Sequence, residues 1–192
     1  MGAIVMHNVV SVDGYIADEH DDVGPLFDWY FNGDTALRDG GSFRVSRASA
    51  DYVRPLWTEI GSMVIGRHLF DVMDGWEGTP PVGDHVVVVS HRPKPDGWHP
   101  DASYHFVSDV AQAVAIADEL ADGRTVTVAA GDVGGQALAL GLVDEVAMDV
   151  VPVVFGAGKR YFGPICAVHL LEDPHVVIAG TRALHLRYRV RR

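Results

Sequence analysis

"MVIGRHLFD", residues 63–71, breaks off a run of apolar side chains abruptly. Met63, Val64 and Ile65 read as a short buried strand, Gly66 removes the side chain, and Arg67 and His68 follow at once. Two cationic or potentially cationic groups where a buried strand runs out make either a solvated turn or a seat for an anion at the end of a sheet. In open α/β sheets, ligands collect outside the carboxyl ends of strands, beside helix N-termini. The choice therefore turns on whether other strands of the chain end in the same way.

They do. The valine-rich segment 3–12 runs into "SVDGYIA", "HVVVVS" (85–90) into "HRP", and "TVTVAA" (125–130) into "GDVGGQ". Gly131, Gly134 and Gly135 let a backbone approach a phosphate closely. The helix that follows through Asp132, Val133 and Gln136 aims unpaired N–H groups at it. Arg67 and Arg92 stand just past two strand ends. A guanidinium keeps its charge and grips phosphate bidentately, which favours a ligand with an extra phosphate, NADP over NAD. The dinucleotide fingerprint G-x-G-x-x-G is absent, and "GAGKRYFG" lacks the spacing of a P-loop.

Further strands are predicted at "EVAMDVVPVVF" (145–155), "HVVIAG" (175–180) and "ALHLRYRV" (183–190). In the last, Leu184, Leu186, Tyr188 and Val190 alternate with His185, Arg187 and Arg189, the pattern of a half-buried antiparallel strand. Helical periodicity is clearest over 109–121, where Val110, Ala113, Val114, Ala117, Leu120 and Ala121 form one stripe. Ser108 is the expected N-cap and Gly123 the expected stop. A second helix is predicted over 48–60, kinked or begun at Pro55, and a third from near Val133 to Gly141. Segments 75–84 and 91–100 read as surface loops. Strands alternating with helices, then a terminal run of strands, predict an α/β fold. Its central sheet is mixed and mostly parallel, with antiparallel C-terminal strands and flanking helices.

A chain of 192 residues, 48% hydrophobic and 21% charged, is expected to form one domain over 1–192 with a substantial core. The net charge of −11 and the lack of a basic run speak against a nucleic-acid partner. Cys166 is the single cysteine, which excludes an internal disulfide and clustered-thiol zinc sites. The start "MGAIVMHNVV" has no basic flank, and His7-Asn8 interrupts its apolar run. It reads as neither signal peptide nor spanning helix. A cytoplasmic protein without membrane association is the expectation. Ten histidines occur, but pairs such as His85/His91 lack the helical ligand spacing, so no metal is expected.

"SVDGYIA", "GRHLFD", "VVVVSHRP", "GLVDEV" and "PVVFGAGKRYF", in that order, resemble the dihydrofolate reductase-like family. That family includes the C-terminal reductase domain of riboflavin biosynthesis, and the likeness covers nearly the whole length. It implies a reductase that binds NADPH across the sheet. By similarity, Arg67 with Ser90, His91 and Arg92 holds the adenosine 2′-phosphate. His68 and the backbone 131–136 cradle the pyrophosphate, Ile16 and Ala17 lie against the nicotinamide, and Gly66 counts among the cofactor-binding residues. Leu69 departs from the family's pattern, since a Thr in many relatives donates to phosphate there.

The substrate implied is a small heterocyclic or carbonyl compound, with NADPH as hydride source. Folate reductases grip a pterin with a carboxylate on the helix after the first loop; here "GPLFDWYFNGD" occupies that region, and Asp28 or Asp34 is open for the role without a clear alignment. Asp13 and Asp28 are the candidate catalytic carboxylates, with a turn-forming role open for Asp13. Phe27 and Trp29, in the aromatic run "FDWYF", are candidates to line a flat-ring pocket, with a dimer interface and a cap on the core as the other readings. The alternatives are a non-catalytic NADP-binding or sensor module and a flavin-binding protein in the same cleft. A homodimer through the C-terminal strands is also expected. Their edge must be covered or charged, and Arg187, Arg189, Arg191 and Arg192 put charge on one face only.

Overall fold

β-branched runs bounded by glycine and polar turns make the strands, and a computed structural model describes them for residues 2–191. Arg192 lies outside the described residues. The first six strands are β1 (Ile4–Ser11), β2 (Tyr15–Ala17), β3 (Thr35–Ala36), β4 (Arg44–Val45), β5 (Ile60–Gly66) and β6 (His85–Val89). Next come β7 (Tyr104–Val107), β8 (Thr125–Ala129), β9 (Glu145–Val151) and β10 (Lys159–Arg160). The chain closes with β11 (Val176–Ala179) and β12 (Leu184–Arg189). Four α-helices, α1 (Arg47–Glu59), α2 (Arg67–Val72), α3 (Val110–Leu120) and α4 (Asp132–Ala139), lie between them. The aromatic run forms a 3-10 helix, Gly24–Phe31.

Eight strands form one sheet in the order β11-β12-β9-β1-β8-β5-β6-β7. The strands from β9 to β7 pair in parallel, while β12 on β9 and β11 on β12 are antiparallel. This is the predicted mixed sheet. Alternation along each strand splits the core in two. Met6, Val10, Val64, Val126, Val128 and Val146 pack under α3 and α4. Val9 and Val151 meet α1 and the 3-10 helix, and Ile65, Val86 and Val88 meet Phe70 of α2.

Helix ends differ from expectation in informative ways. Asp109, not Ser108, caps α3, its carboxylate accepting from Gln112 N at 2.8 Å. α1 starts at Arg47 and runs through Pro55, its first turn held by Ser46, whose hydroxyl accepts from Ser49 N. α2 begins at Arg67 itself, directly off β5, and is too short to show a period. β7 joins the sheet edge from a segment whose only signal is "YHFV".

The largest difference is at β12. The alternation is as predicted, but the buried face is the polar one. His185 is fully buried and Arg187 is only 15% exposed at its side chain, paired with Glu145 at 2.5 Å. The histidine has a buried carboxylate as partner, so burial follows pairing and not hydropathy.

Candidate functional site

A cleft of roughly 1180 Å³ runs along the sheet face that carries α1 and α2. Ligand pockets commonly measure about 300–1,000 Å³, so this one has room for two ligands side by side. Its one end is built where β8, β5 and β6, neighbours in the sheet, deliver their carboxyl ends together. Gly131 sits there at φ 95°, which favours glycine, as the N-cap of α4 with no side chain capping the helix. The first-turn N–H groups of α4 are thus left for a ligand. A side chain at Gly131 would press on Ile16, with its Cβ 3.2 Å from Cδ1.

Beside it stands the Gly-Arg-His stretch. Arg67 Nε donates to Asp71 Oδ1 at 2.7 Å, and Nη1 donates to Pro93 O at 3.0 Å and Ser90 Oγ at 3.4 Å. Arg92 Nη2 donates to the other oxygen of Asp71 at 2.7 Å. The hydrogen bond from Arg67, with that from Arg92, outweighs desolvation and holds the Asp71 carboxyl below the usual range. The guanidinium pair is therefore prearranged around an anion that the chain itself supplies. Across the cleft, Asp21 stands 3.3 Å from His68 Nε2 and 3.4 Å from Lys159 Nζ.

The other end is aromatic, lined by Phe27, Tyr30, Phe31, Phe43, Tyr52 and Trp57. Burial raises the pKa values of Tyr30 and Tyr52, so both stay neutral. The floor between the two ends is polar. His7 of β1 and Asp149 of β9 meet there at 3.0 Å, Nε2 to Oδ2. Asp149 Oδ1 lies 2.6 Å from Nδ1 of His185, whose Nε2 lies 2.9 Å from Ser49 Oγ. Burial opposes the charge on Asp149, but His7 and the hydrogen bond with His185 outweigh it and hold the carboxyl below its usual range.

Of the residues singled out in the sequence, Ile16, Ala17, Phe27, Gly66, Arg67, His68, Ser90, His91 and Arg92 line the cleft. So do Gly131, Asp132, Val133 and Gln136. Gly134 and Gly135 face inward and do not line it. A Cβ on Gly135 would fall 2.0 Å from Phe162 O, so this glycine serves close packing of α4. Asp13 stands outside the cleft, as a turn residue. It accepts from Ser11 Oγ at 2.6 Å and from the backbone N–H of Phe155 and Gly156, tying the first turn to a distant loop. The Ser11 hydroxyl is the main cause that keeps its pKa low. Asp28 is exposed and away from the cleft wall. Trp29 is 1% exposed, in the core behind Tyr30, with ring centroids 4.1 Å apart.

Sequence reading gave His7, Asp149, Tyr52 and Arg187 no role in the site. For the first two a signal existed: a histidine and an aspartate, each inside an apolar strand run.

No protein-family model matches the chain, and no curated protein matches it. Solved structures do. A protein from Shewanella sp. PV-4 named for riboflavin biosynthesis is 20% identical, with TM-score 0.71 and full coverage of both chains. Acinetobacter baumannii RibD is 13% identical, TM-score 0.65; the match takes in all of this chain and 58% of that one. Enterococcus faecalis dihydrofolate reductase, solved with NADP(H), is 14% identical, TM-score 0.59, covering 100% of this chain and 98% of that one. With its strand order and cleft, the chain has the dihydrofolate reductase-like fold that these riboflavin-biosynthesis proteins share.

Proposed function

We propose that residues 1–192 act as one NADPH-dependent reductase domain for a small heterocyclic or carbonyl substrate. One observation carries the reading: a single cleft joins a cationic, helix-terminated end to an aromatic end over a polar floor. NADPH, when bound, supplies a hydride to an unsaturated carbon of the substrate. The residues fit that cofactor. The uncapped start of α4 and Gly131 suit the pyrophosphate, with His68 alongside. Arg67, Ser90, His91 and Arg92 suit the 2′-phosphate, and Ile16 and Ala17 flank the place for the nicotinamide. Phe27, Tyr30 and Trp57 clamp a flat ring and exclude water from it. α1 offers the cleft Tyr52, Val53, Leu56 and Trp57 but no carboxylate, which argues against a pterin substrate. The test is a fluorescence titration with NADPH, followed by NADPH oxidation against a panel of pyrimidines, pterins and aromatic aldehydes. Failure to bind NADPH overturns the reading.

Asp21 provides a second, smaller test. Its carboxylate shares His68 and Lys159 with the expected phosphates. Asp21→Asn is expected to tighten NADPH by about two- to fivefold at low salt, an effect that shrinks as salt rises. Unchanged affinity would place the pyrophosphate elsewhere.

Among the described residues no helix is long and apolar enough to cross a membrane. A cytoplasmic location is part of the proposal. Self-association belongs to the same reading. β11 ends the sheet as an unpaired edge, with Val177 60% exposed. In sedimentation equilibrium a homodimer is expected, weakened at least tenfold by Val177→Asp; a monomer at all concentrations would reject it.

A further inference from the structure

The floor of the cleft holds a run of hydrogen bonds whose direction follows from counting donors. Ser46 Oγ accepts from the N–H groups of Ser49 and Thr181, both at 3.3 Å. Its single proton goes to Ser49 Oγ at 3.0 Å. Ser49 is fully buried, so its own proton needs an acceptor, and the nearest is Nε2 of His185. That fixes His185 as the tautomer with its proton on Nδ1, donating to Asp149 Oδ1. Read the other way, with Nε2 donating and Nδ1 bare, the 2.6 Å contact with the ionised Asp149 carboxylate would hold no proton at all. Every bond thus points at Asp149, an ionised carboxylate that only accepts.

One oxygen of Asp149 remains, and His7 fills it through Nε2–H. The His7 side chain is 36% exposed and lines the cleft. Its Nδ1 has no protein partner among the described residues. Asp149 of β9 bonds this ring; Tyr30, Tyr52 and Arg187 line the same cleft, with His185 on the other oxygen of Asp149 and Glu145 on Arg187. Glu145 and Arg187 neutralise one another, burial keeps the two tyrosines neutral, and Asp149 is the carboxylate that pairs with His7.

We propose that His7 delivers the proton in the reduction, through Nδ1, and that Asp149, oriented by His185 and Ser49, is its positioning residue. This rests on the reductase reading above. The hydride forms the new C–H bond, and the π pair of the C=O or C=N bond moves onto oxygen or nitrogen. That atom bonds to the proton leaving Nδ1 of the His7 imidazolium, whose Nε2–H stays on Asp149, and the neutral Nε2–H ring then regains a proton from bulk water at the cleft mouth. A histidine held by a buried carboxylate on one nitrogen and open on the other is suited to this task.

Long-range ¹H–¹⁵N spectra of the ¹⁵N-labelled full chain read the arrangement without any turnover. Neutral His7 is expected as the Nε2–H tautomer and His185 as Nδ1–H. Asp149→Asn is expected to shift the His7 tautomer ratio at least severalfold. A wild-type His7 protonated on Nδ1 alone when neutral, or a ratio unmoved by Asp149→Asn, would overturn the proposal. In parallel, His7→Gln is expected to lower reduction of 4-nitrobenzaldehyde, used as a flat-ring carbonyl probe, by about a hundredfold. Its NADPH affinity is expected to stay within twofold of wild type. An unchanged rate in His7→Gln also overturns it. Loss of NADPH binding in the wild type would instead defeat the reductase reading, with the tautomer result still deciding the arrangement of His7.

Discussion

Asp149→Ala is expected to destabilise the fold by about 3–5 kcal/mol, because removing one member of a buried charged set strands the others. Two donors lose their acceptor at once: Nδ1–H of His185, fully buried, and Nε2–H of His7. Replacement by alanine also leaves a void between β1 and β12 that the strands cannot close without breaking register. The pH dependence has a definite sign. The folded carboxyl sits below its unfolded value of about 3.9, so the unfolded chain takes up the proton first. The contribution is fully present above about pH 4 and is lost as the pH falls through the folded value. Urea midpoints between pH 3 and 7 measure both effects. Asp149→Asn, which cannot titrate, should show a flatter acid limb than wild type. An equally steep limb would mean that the carboxylate is not what the two histidines hold.

Arg67→Ala is expected to weaken NADPH ten- to a hundredfold while changing NADH less than threefold, since a desolvated charge-assisted contact is worth about 1.5–3 kcal/mol. Geometry makes this arginine matter more than Arg92. Its side chain is 16% exposed against 65%, and its guanidinium lies over the Phe70 ring at 5.4 Å. A cation held in place by packing loses little entropy on binding. Its removal also uncovers Asp71, which would then face the phosphate with Arg92 alone for balance. Equal affinity of the wild type for NADPH and NADH would show that no 2′-phosphate is read at this end of the cleft.

The strands were legible because β-branched runs between glycines have few other ways to fold. The cationic end of the cleft was legible for a related reason: Gly66, Gly131 and the arginines sit where strands stop, and a stop can be read from a sequence. The floor of the cleft was not. His7 meets Asp149 across 142 positions, and His185 meets Ser49 across 136. The apolar runs around His7 and Asp149 mark both as unusual, but nothing local says that they meet. β12 shows the same difficulty, since hydropathy put Leu184 inward and His185 outward, and a partner on β9 reversed both. Asp13 and Asp28 drew attention as carboxylates near the expected ligand, yet one ties a turn and the other faces solvent.

β1, the first strand of the chain, lies between β8 and β9, so both of its neighbours are made more than a hundred residues later. During synthesis at roughly 5–20 residues per second, an apolar strand waits several seconds or more for its first partner. The central position that places His7 under the cleft therefore also sets when the protein can fold. Loop closure over such a span delays pairing further. A nascent chain halted before residue 125 would carry β1 as an open template for other chains.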